Sequence, residues 1–248
     1  MLTKAKDLSG YTLQSRDGEI GKVKEFYFDD KHWVIRYLVA NTGNWLKERS
    51  VLLSPYALLS LDKDKQLVNV DLTKKQIEGS PSLDTDKPVS QQFEASYFGY
   101  YGWPVYWIGS YTWGNYPFLN RHPEEQSATN QGGKAWNHHL RSTYAVQGYN
   151  IEAIDGEIGH VKDYIIKDDT WEILYLVVDT RNWLPGKSVL ISPEWIDKVS
   201  WDESKVFVSL SQDAIKESPE YSDEILLSRE YETKLHRHYN RVGYWVDL

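Results

Sequence analysis

The chain repeats itself. Gly10-Tyr11 recurs as Gly148-Tyr149, and Asp17-Gly18-Glu19-Ile20-Gly21 recurs as Asp155-Gly156-Glu157-Ile158-Gly159, a displacement of 138 positions. The same displacement carries Trp33 onto Trp171, Tyr37-Leu38-Val39 onto Tyr175-Leu176-Val177, and Asn44-Trp45-Leu46 onto Asn182-Trp183-Leu184. Ser50-Val51-Leu52, Ser54-Pro55 and Ser80-Pro81 return as Ser188-Val189-Leu190, Ser192-Pro193 and Ser218-Pro219. Self-similarity at one fixed spacing marks a duplicated unit. Whatever fold this chain adopts, it must adopt it twice, and each copy must fit in about half of 248 residues.

Each copy reads as a run of short strands. Residues 11–16 lead into Asp17-Gly18, a pair suited to the positive φ values of a tight hairpin. A second strand over roughly 20–28 offers Ile20, Val23 and Phe26 to a core, and Asp29-Asp30-Lys31 makes a polar turn. Trp33 to Val39 is the most apolar strand, rich in aromatic and β-branched residues, with Trp171 to Val178 as its counterpart. Its near-continuous hydrophobicity implies cover on both faces. Val51-Leu52-Leu53 ends at Ser54-Pro55, because proline cannot donate to a ladder. Segments near 58–61 and 66–70 flank the turn Asp62-Lys63-Asp64-Lys65. About six short strands joined by tight turns predict a small closed barrel.

After each barrel the period changes to that of a helix. Phe93, Tyr97, Tyr100 and Tyr101 share one helical face, as do Leu227, Tyr231, Leu235 and Tyr239. Ser90 and Ser228 are predicted N-caps, with Glu230 near the positive helix end. The fold expected is mainly β: two small barrels in tandem, each followed by an amphipathic helix packed on barrel surface. The first barrel takes residues 1–80. Residues 81–142 form a helix, an aromatic-rich arm and a linker; the second barrel takes 143–218, and a helix and tail take 219–248.

The repeated residues resemble the PRC-barrel family. The resemblance rests on Gly10-Tyr11, Asp17 to Val23, the strand Ile35 to Val39 and Val51-Leu52-Leu53-Ser54-Pro55. Copy two supplies Asp155 to Val161, Ile173 to Val178 and Val189-Leu190-Ile191-Ser192-Pro193. The family's fold occurs in the cytoplasmic domain of the photosynthetic reaction-centre H subunit and at the C-terminus of the ribosome-maturation factor RimM. The H subunit's N-terminal membrane helix and RimM's preceding domain have no counterpart before Gly10. The resemblance implies an adaptor-like barrel that contacts other macromolecules, and a fold shared this widely does not specify one function.

The chemistry available is narrow. With no cysteine in the chain, disulfides, thiol catalysis, iron–sulfur clusters and Cys-ligated zinc are excluded together. A net charge of −8 makes nucleic acid an unexpected partner, since phosphate binders concentrate positive charge. No apolar run approaches the roughly 20 residues of a spanning helix, and Met1 to Asp7 lacks a signal-peptide core. A cytoplasmic protein is expected, with membrane contact at most peripheral and self-association left open.

The most unusual segment begins at Tyr97 and runs to Phe118, interleaving aromatics with glycine and proline. Tyr100, Tyr101, Trp103, Tyr106, Trp107, Tyr111 and Trp113 form the candidate interaction surface, because rigid aromatic side chains give contact area at small entropy cost. Packing of this arm against the barrels is the competing reading, strengthened by the shorter echo Val242-Gly243-Tyr244-Trp245. His138-His139 and the pair Glu232 and His236 are the residues nearest to a metal-ligand pattern, and surface or core histidine is the better reading of each. Asp29-Asp30 and Asp168-Asp169 read as turn residues. No nucleotide-loop, zinc-protease or nucleophile-elbow motif occurs, so no catalytic residue, cofactor or metal is expected.

The function expected is therefore a non-enzymatic protein-interaction or complex-assembly module. The alternatives are an RNA- or ribosome-associated processing factor and a membrane-peripheral accessory of a photosynthetic or electron-transfer complex. An enzyme using carboxylates in a cleft is a further possibility.

Overall fold

The computed structural model describes residues 1–43, 45–46, 51–81, 89–121, 140–180, 187–222 and 227–246. The chain divides into two compact units. The first holds Thr3–Tyr144 with Lys167–Glu172, and the second holds Ala145–Ile166 with Ile173–Leu248.

After β1 (Leu2–Lys4), the first unit contains α1 (Ala5–Leu8), β2 (Thr12–Ser15), β3 (Gly18–Asp29), β4 (Val34–Asn41) and β5 (Val51–Leu53). After a 3-10 turn at Pro55–Ala57 come β6 (Leu58–Asp62), β7 (Leu67–Val70), α2 (Lys74–Gly79), α3 (Gln91–Tyr101) and β8 (Leu140–Ser142). The strands lie in the order β5-β4-β3-β2-β7-β6, and β8 adds to β3. All neighbours are antiparallel except β2 and β7, which run parallel with Leu13 opposite Val68. That pairing brings together the first and last of the six strands in chain order.

The ladder does not close on itself, against the closed cylinder expected. β5 and β6 stand at its two edges, and the covalent turn at Pro55–Ala57 links them. The proline at the start of that turn has no N–H to continue a ladder. The turn is held instead by the Ala57 amide on the Ser54 carbonyl and by the Asp71 amide on the Ala57 carbonyl.

Two local devices explain the repeated motif. Asp17 Oδ1 accepts from the Lys74 amide at 2.8 Å, so the hairpin aspartate caps the first turn of α2. In the second unit Asp155 does the same for the Gln212 amide at 2.7 Å. Gly21 has φ +134 and its α-carbon lies against the backbone carbonyl of Asn41, where a Cβ has no room. Gly159 repeats this against Asp179. The helix caps follow the sequence: Ser90 accepts from Phe93 and Ser228 from Tyr231.

The second unit follows the same plan. α4 (Thr143–Val146), β9 (Asn150–Ala153), β10 (Gly156–Lys167), β11 (Ile173–Asp179) and β12 (Ser188–Ile191) lead to a 3-10 turn at Pro193–Trp195. β13 (Ile196–Ser200), β14 (Lys205–Val208), α5 (Gln212–Lys216) and α6 (Arg229–His238) complete it. Its strand order, β12-β11-β10-β9-β14-β13, mirrors the first, including the parallel β9–β14 pair. Among the described residues no helix is long and apolar enough to cross a membrane.

Candidate functional site

α3 is fixed to its own barrel by a buried polar node. Glu94, in the first turn of the helix, is 6% exposed. Its Oε1 accepts from the Tyr37 hydroxyl of β4 at 2.9 Å and from the Tyr106 hydroxyl of the arm at 2.7 Å. Burial pushes the Glu94 carboxyl up to about 7, against the two tyrosine hydrogen bonds and the charge of Arg36, which act to lower it. One turn on, the Tyr97 hydroxyl donates to the Leu52 carbonyl at 2.8 Å and accepts from the Ser54 amide. The helix therefore satisfies an exposed edge of the sheet. It ends at Gly102, whose φ of +69 lets the Trp103 amide turn back onto the Phe98 carbonyl.

A second buried charge lies beneath the arm. Arg36 of β4 is fully buried and its Nε and Nη2 donate to Asp29 Oδ2 at 2.9 and 2.5 Å. Asp29 Oδ1 takes the amides of Lys31 and His32. Burial opposes ionisation of Asp29. The His32 hydrogen bonds and the Arg36 guanidinium outweigh it and hold the carboxyl well below the usual range. The guanidinium carbon sits 3.8 Å from the centre of the Tyr106 ring and 4.7 Å from that of Trp113. An arginine inside an apolar strand is thus neutralised by one aspartate and roofed by two aromatic faces.

The structure splits the seven predicted surface aromatics. Tyr106 and Trp113 are interior side chains, 8% and 1% exposed, and serve as roof and anchor; neither presents an outer surface. Their burial follows from the Arg36 and Glu94 contacts, which sequence reading did not include. Tyr101, Trp103 and Trp107 are half-buried, with Tyr101 stacked on Trp103 at 4.4 Å and Trp107 edge-on to Phe98. Tyr100 and Tyr111 are exposed, joined by Ile108 and Phe118 of the same arm. Tyr100 was expected on the packed face of α3; the buried stripe is instead Glu94, Tyr97 and Phe98. Tyr101 and Trp103 also line a cleft of about 420 Å³ in this unit.

Residues 3–77 match the family model of the PRC-barrel domain. The first module is a PRC-barrel domain. No curated protein matches the chain. The second unit repeats the PRC-barrel strand order, and it repeats the node as well.

In that second unit the Tyr175 hydroxyl lies 3.0 Å from Glu232 Oε1, and the Tyr244 hydroxyl donates to the same oxygen at 2.9 Å. Each of these residues stands 138 positions after its first-unit equivalent. Sequence reading missed this pairing because it followed the repeat only as far as Ser80-Pro81. The same displacement continues through Ser90, Glu94, Tyr106 and Trp107 to Ser228, Glu232, Tyr244 and Trp245. The supporting cation changes position. Arg36 aligns with Leu174, and the role passes to Arg229, which pairs with Glu232 at 3.2 Å and lies 4.1 Å from the Trp245 ring centre. His236 replaces Phe98. Its Nδ1 faces the Val242 carbonyl, so that nitrogen carries the proton, and Nε2 meets the Tyr175 hydroxyl at 2.9 Å.

Glu232 and His236 do share a helix face, as their spacing requires, and both are buried. Their polar atoms are committed to Tyr175, Tyr244, Arg229 and Val242. His238, turned away, meets the Ala214 carbonyl. Among the described residues no cluster of three or more metal-ligating side chains forms. His138-His139 lies outside the described residues.

Proposed function

We propose that the chain is a non-enzymatic docking module whose PRC-barrel domains display an aromatic arm to a protein partner. The observation that carries this reading is where the large exposed apolar side chains fall. Tyr100, Ile108, Tyr111 and Phe118 account for four of the ten among the described residues, all within one arm. Scattered exposed apolar residues are ordinary on a protein surface, whereas a concentration of them marks a contact region. The arm is rigid where it matters. Tyr106 is hydrogen-bonded to Glu94 and Trp113 is buried edge-on to Tyr56, so little entropy remains to be lost on binding. Tyr37, Tyr97, Tyr106, Glu94 and Arg36, all buried, hold helix and arm to the barrel, which suits a scaffold.

The test is site-specific photocrosslinking. A benzophenone side chain placed at Tyr111 or Phe118 should capture one discrete protein in extracts of cells that make the chain. The same probe at Tyr144, which is more exposed but outside the arm, should not. Equal capture from all three positions, or none from the arm, removes the proposal. A steeply salt-dependent capture of RNA would replace it with the nucleic-acid alternative.

A further inference from the structure

The ring that supports the tail of the second unit differs in chemistry from its counterpart in the first. In the first unit Trp107 lies edge-on to Phe98, with ring centres 5.6 Å apart. In the second, Trp245 lies edge-on to His236 at 5.0 Å. The first unit shows that this packing needs only an aromatic ring. The imidazole adds two properties, a hydrogen bond to the tail and a charge that depends on pH.

The surroundings of His236 suit the neutral ring. It is 3% exposed. Nδ1 gives its hydrogen to the Val242 carbonyl at 3.0 Å, and Nε2 is 2.9 Å from the Tyr175 hydroxyl, so neither hydrogen bond ends on a carboxylate. The indole of Trp195 packs edge-on as well, at 5.3 Å. The charged groups facing the imidazole are Glu232 and Arg229 of its own helix and Glu194 of the 3-10 turn. β11 and the tail bring the hydroxyls of Tyr175 and Tyr244 to the node. The two carboxylates favour an imidazolium, whereas Arg229 opposes it and is itself paired with Glu232 at 3.2 Å. Burial outweighs the carboxylates and pulls His236 below its ordinary value of 6.5.

The same contacts fasten residues 242–246. His236 touches this tail twice, at the Val242 carbonyl and at the Trp245 ring. Tyr244 donates to Glu232 at 2.9 Å, and the Trp245 ring centre lies 4.1 Å from the Arg229 guanidinium. Gly243 lies against the Trp245 indole, where a Cβ has no room. Releasing the tail takes an indole off the imidazole and lets water reach it, which removes much of the cost of charging the ring.

We propose that residues 242–246 form an acid-released clasp on the second unit, docked while His236 is neutral and let go when it is protonated. The open form takes up a proton at about the ordinary value of 6.5, and the closed form only at lower pH. The clasp is therefore fully held above that value and weakens as pH falls below it. By pH 5 the ratio of open to closed can rise by at most about thirtyfold. The direction is opposite to that of the Glu94 node, whose contribution is lost as pH rises. The inference is independent of the docking role of Tyr111 and Phe118, and either can fail without the other.

The experiment is site-directed spin labelling of the full chain. With no native cysteine, Val246→Cys takes a single nitroxide at a tail position that is 50% exposed. The mobile fraction of the label should be small at pH 7.5 and rise severalfold, up to about thirtyfold, by pH 5, while circular dichroism shows the chain still folded. His236→Phe, which copies the first unit, should make the mobile fraction equal at the two pH values. His236→Gln is uncharged at every pH and carries the test if the phenylalanine variant fails to fold. In the unlabelled chain an NMR titration of the His236 imidazole should give a midpoint below 6.5. The proposal is overturned if the label's mobility is the same at pH 7.5 and pH 5, or if a folded His236 variant keeps the change. It is equally overturned if the second unit unfolds together with the tail, or if His236 titrates at or above its ordinary value.

Discussion

The hydroxyl of Tyr37 meets the carboxylate of Glu94 at 2.9 Å, and 138 positions later Tyr175 meets Glu232 at 3.0 Å. In both cases a strand tyrosine reaches a glutamate in the first turn of the following helix, and a second tyrosine closes the node from beyond the helix end. The duplicated unit is therefore a barrel, a helix and a tail joined through one buried carboxylate, a longer unit than the strands alone.

Glu94→Gln should flatten the pH dependence of stability. The folded chain holds the Glu94 proton up to about 7, whereas the unfolded chain releases it near the ordinary value of 4.5. Glu94 thus contributes most at or below that ordinary value, and its contribution is lost as pH rises through about 7. Glutamine still accepts from both tyrosines and never ionises. Urea midpoints at pH 5 and pH 8 should show the variant gaining on the parent as pH rises, and an equal difference at both pH values would rule this out.

Asp29→Asn should destabilise the first unit by about 3–5 kcal/mol, the usual consequence of leaving a buried cation unpaired. Arg36→Met alone should also destabilise. The double variant should lose less than the sum of the two, because neither charge is then stranded. Simple additivity in denaturant unfolding would show that the pair does not act as one.

Gly21→Ala and Gly159→Ala should each cost roughly 3 kcal/mol or more, since the new Cβ meets backbone that cannot move aside at a φ only glycine tolerates. Gly43 also has positive φ, with nothing within 4 Å of a Cβ, so Gly43→Ala should cost only about 1–2 kcal/mol. Thermal midpoints that rank Gly43→Ala with the other two would contradict the steric account.

Trp113→Ser and Tyr111→Ser, two residues apart, should behave oppositely. Removing the buried indole should cost on the order of 3–5 kcal/mol, while the exposed tyrosine should change stability by less than about 0.5 kcal/mol. Equal losses in chemical denaturation would mean that the arm packs differently from the structure described. Only Tyr111→Ser is suited to separate partner binding from folding.

Much of the architecture was legible without coordinates because it is written locally. Alternation, Asp-Gly turns, proline stops and serine caps act over a few residues, and the duplication read each signal twice. Two parts of the fold were not legible. The parallel β2–β7 pair and the open edges at β5 and β6 depend on which distant strands meet, and local pattern carries no record of that. The candidate surface failed in a related way. Tyr106, Tyr111 and Trp113 are alike as sequence, and burial alone separates them.

By itself, the sequence determined that one strand-rich unit occurs twice, where its tight turns and the starts of its two long helices at Ser90 and Ser228 fall, and that cysteine chemistry is absent. Only the tertiary structure decided that Glu94 and Glu232 lie inside, that Arg36 is roofed by aromatic rings, and which aromatics remain outside. The physical reason is that a charged side chain is stable in the interior only when partners from distant segments satisfy it. That condition is met in space, between residues as far apart as Tyr37 and Glu94, and no local window contains it.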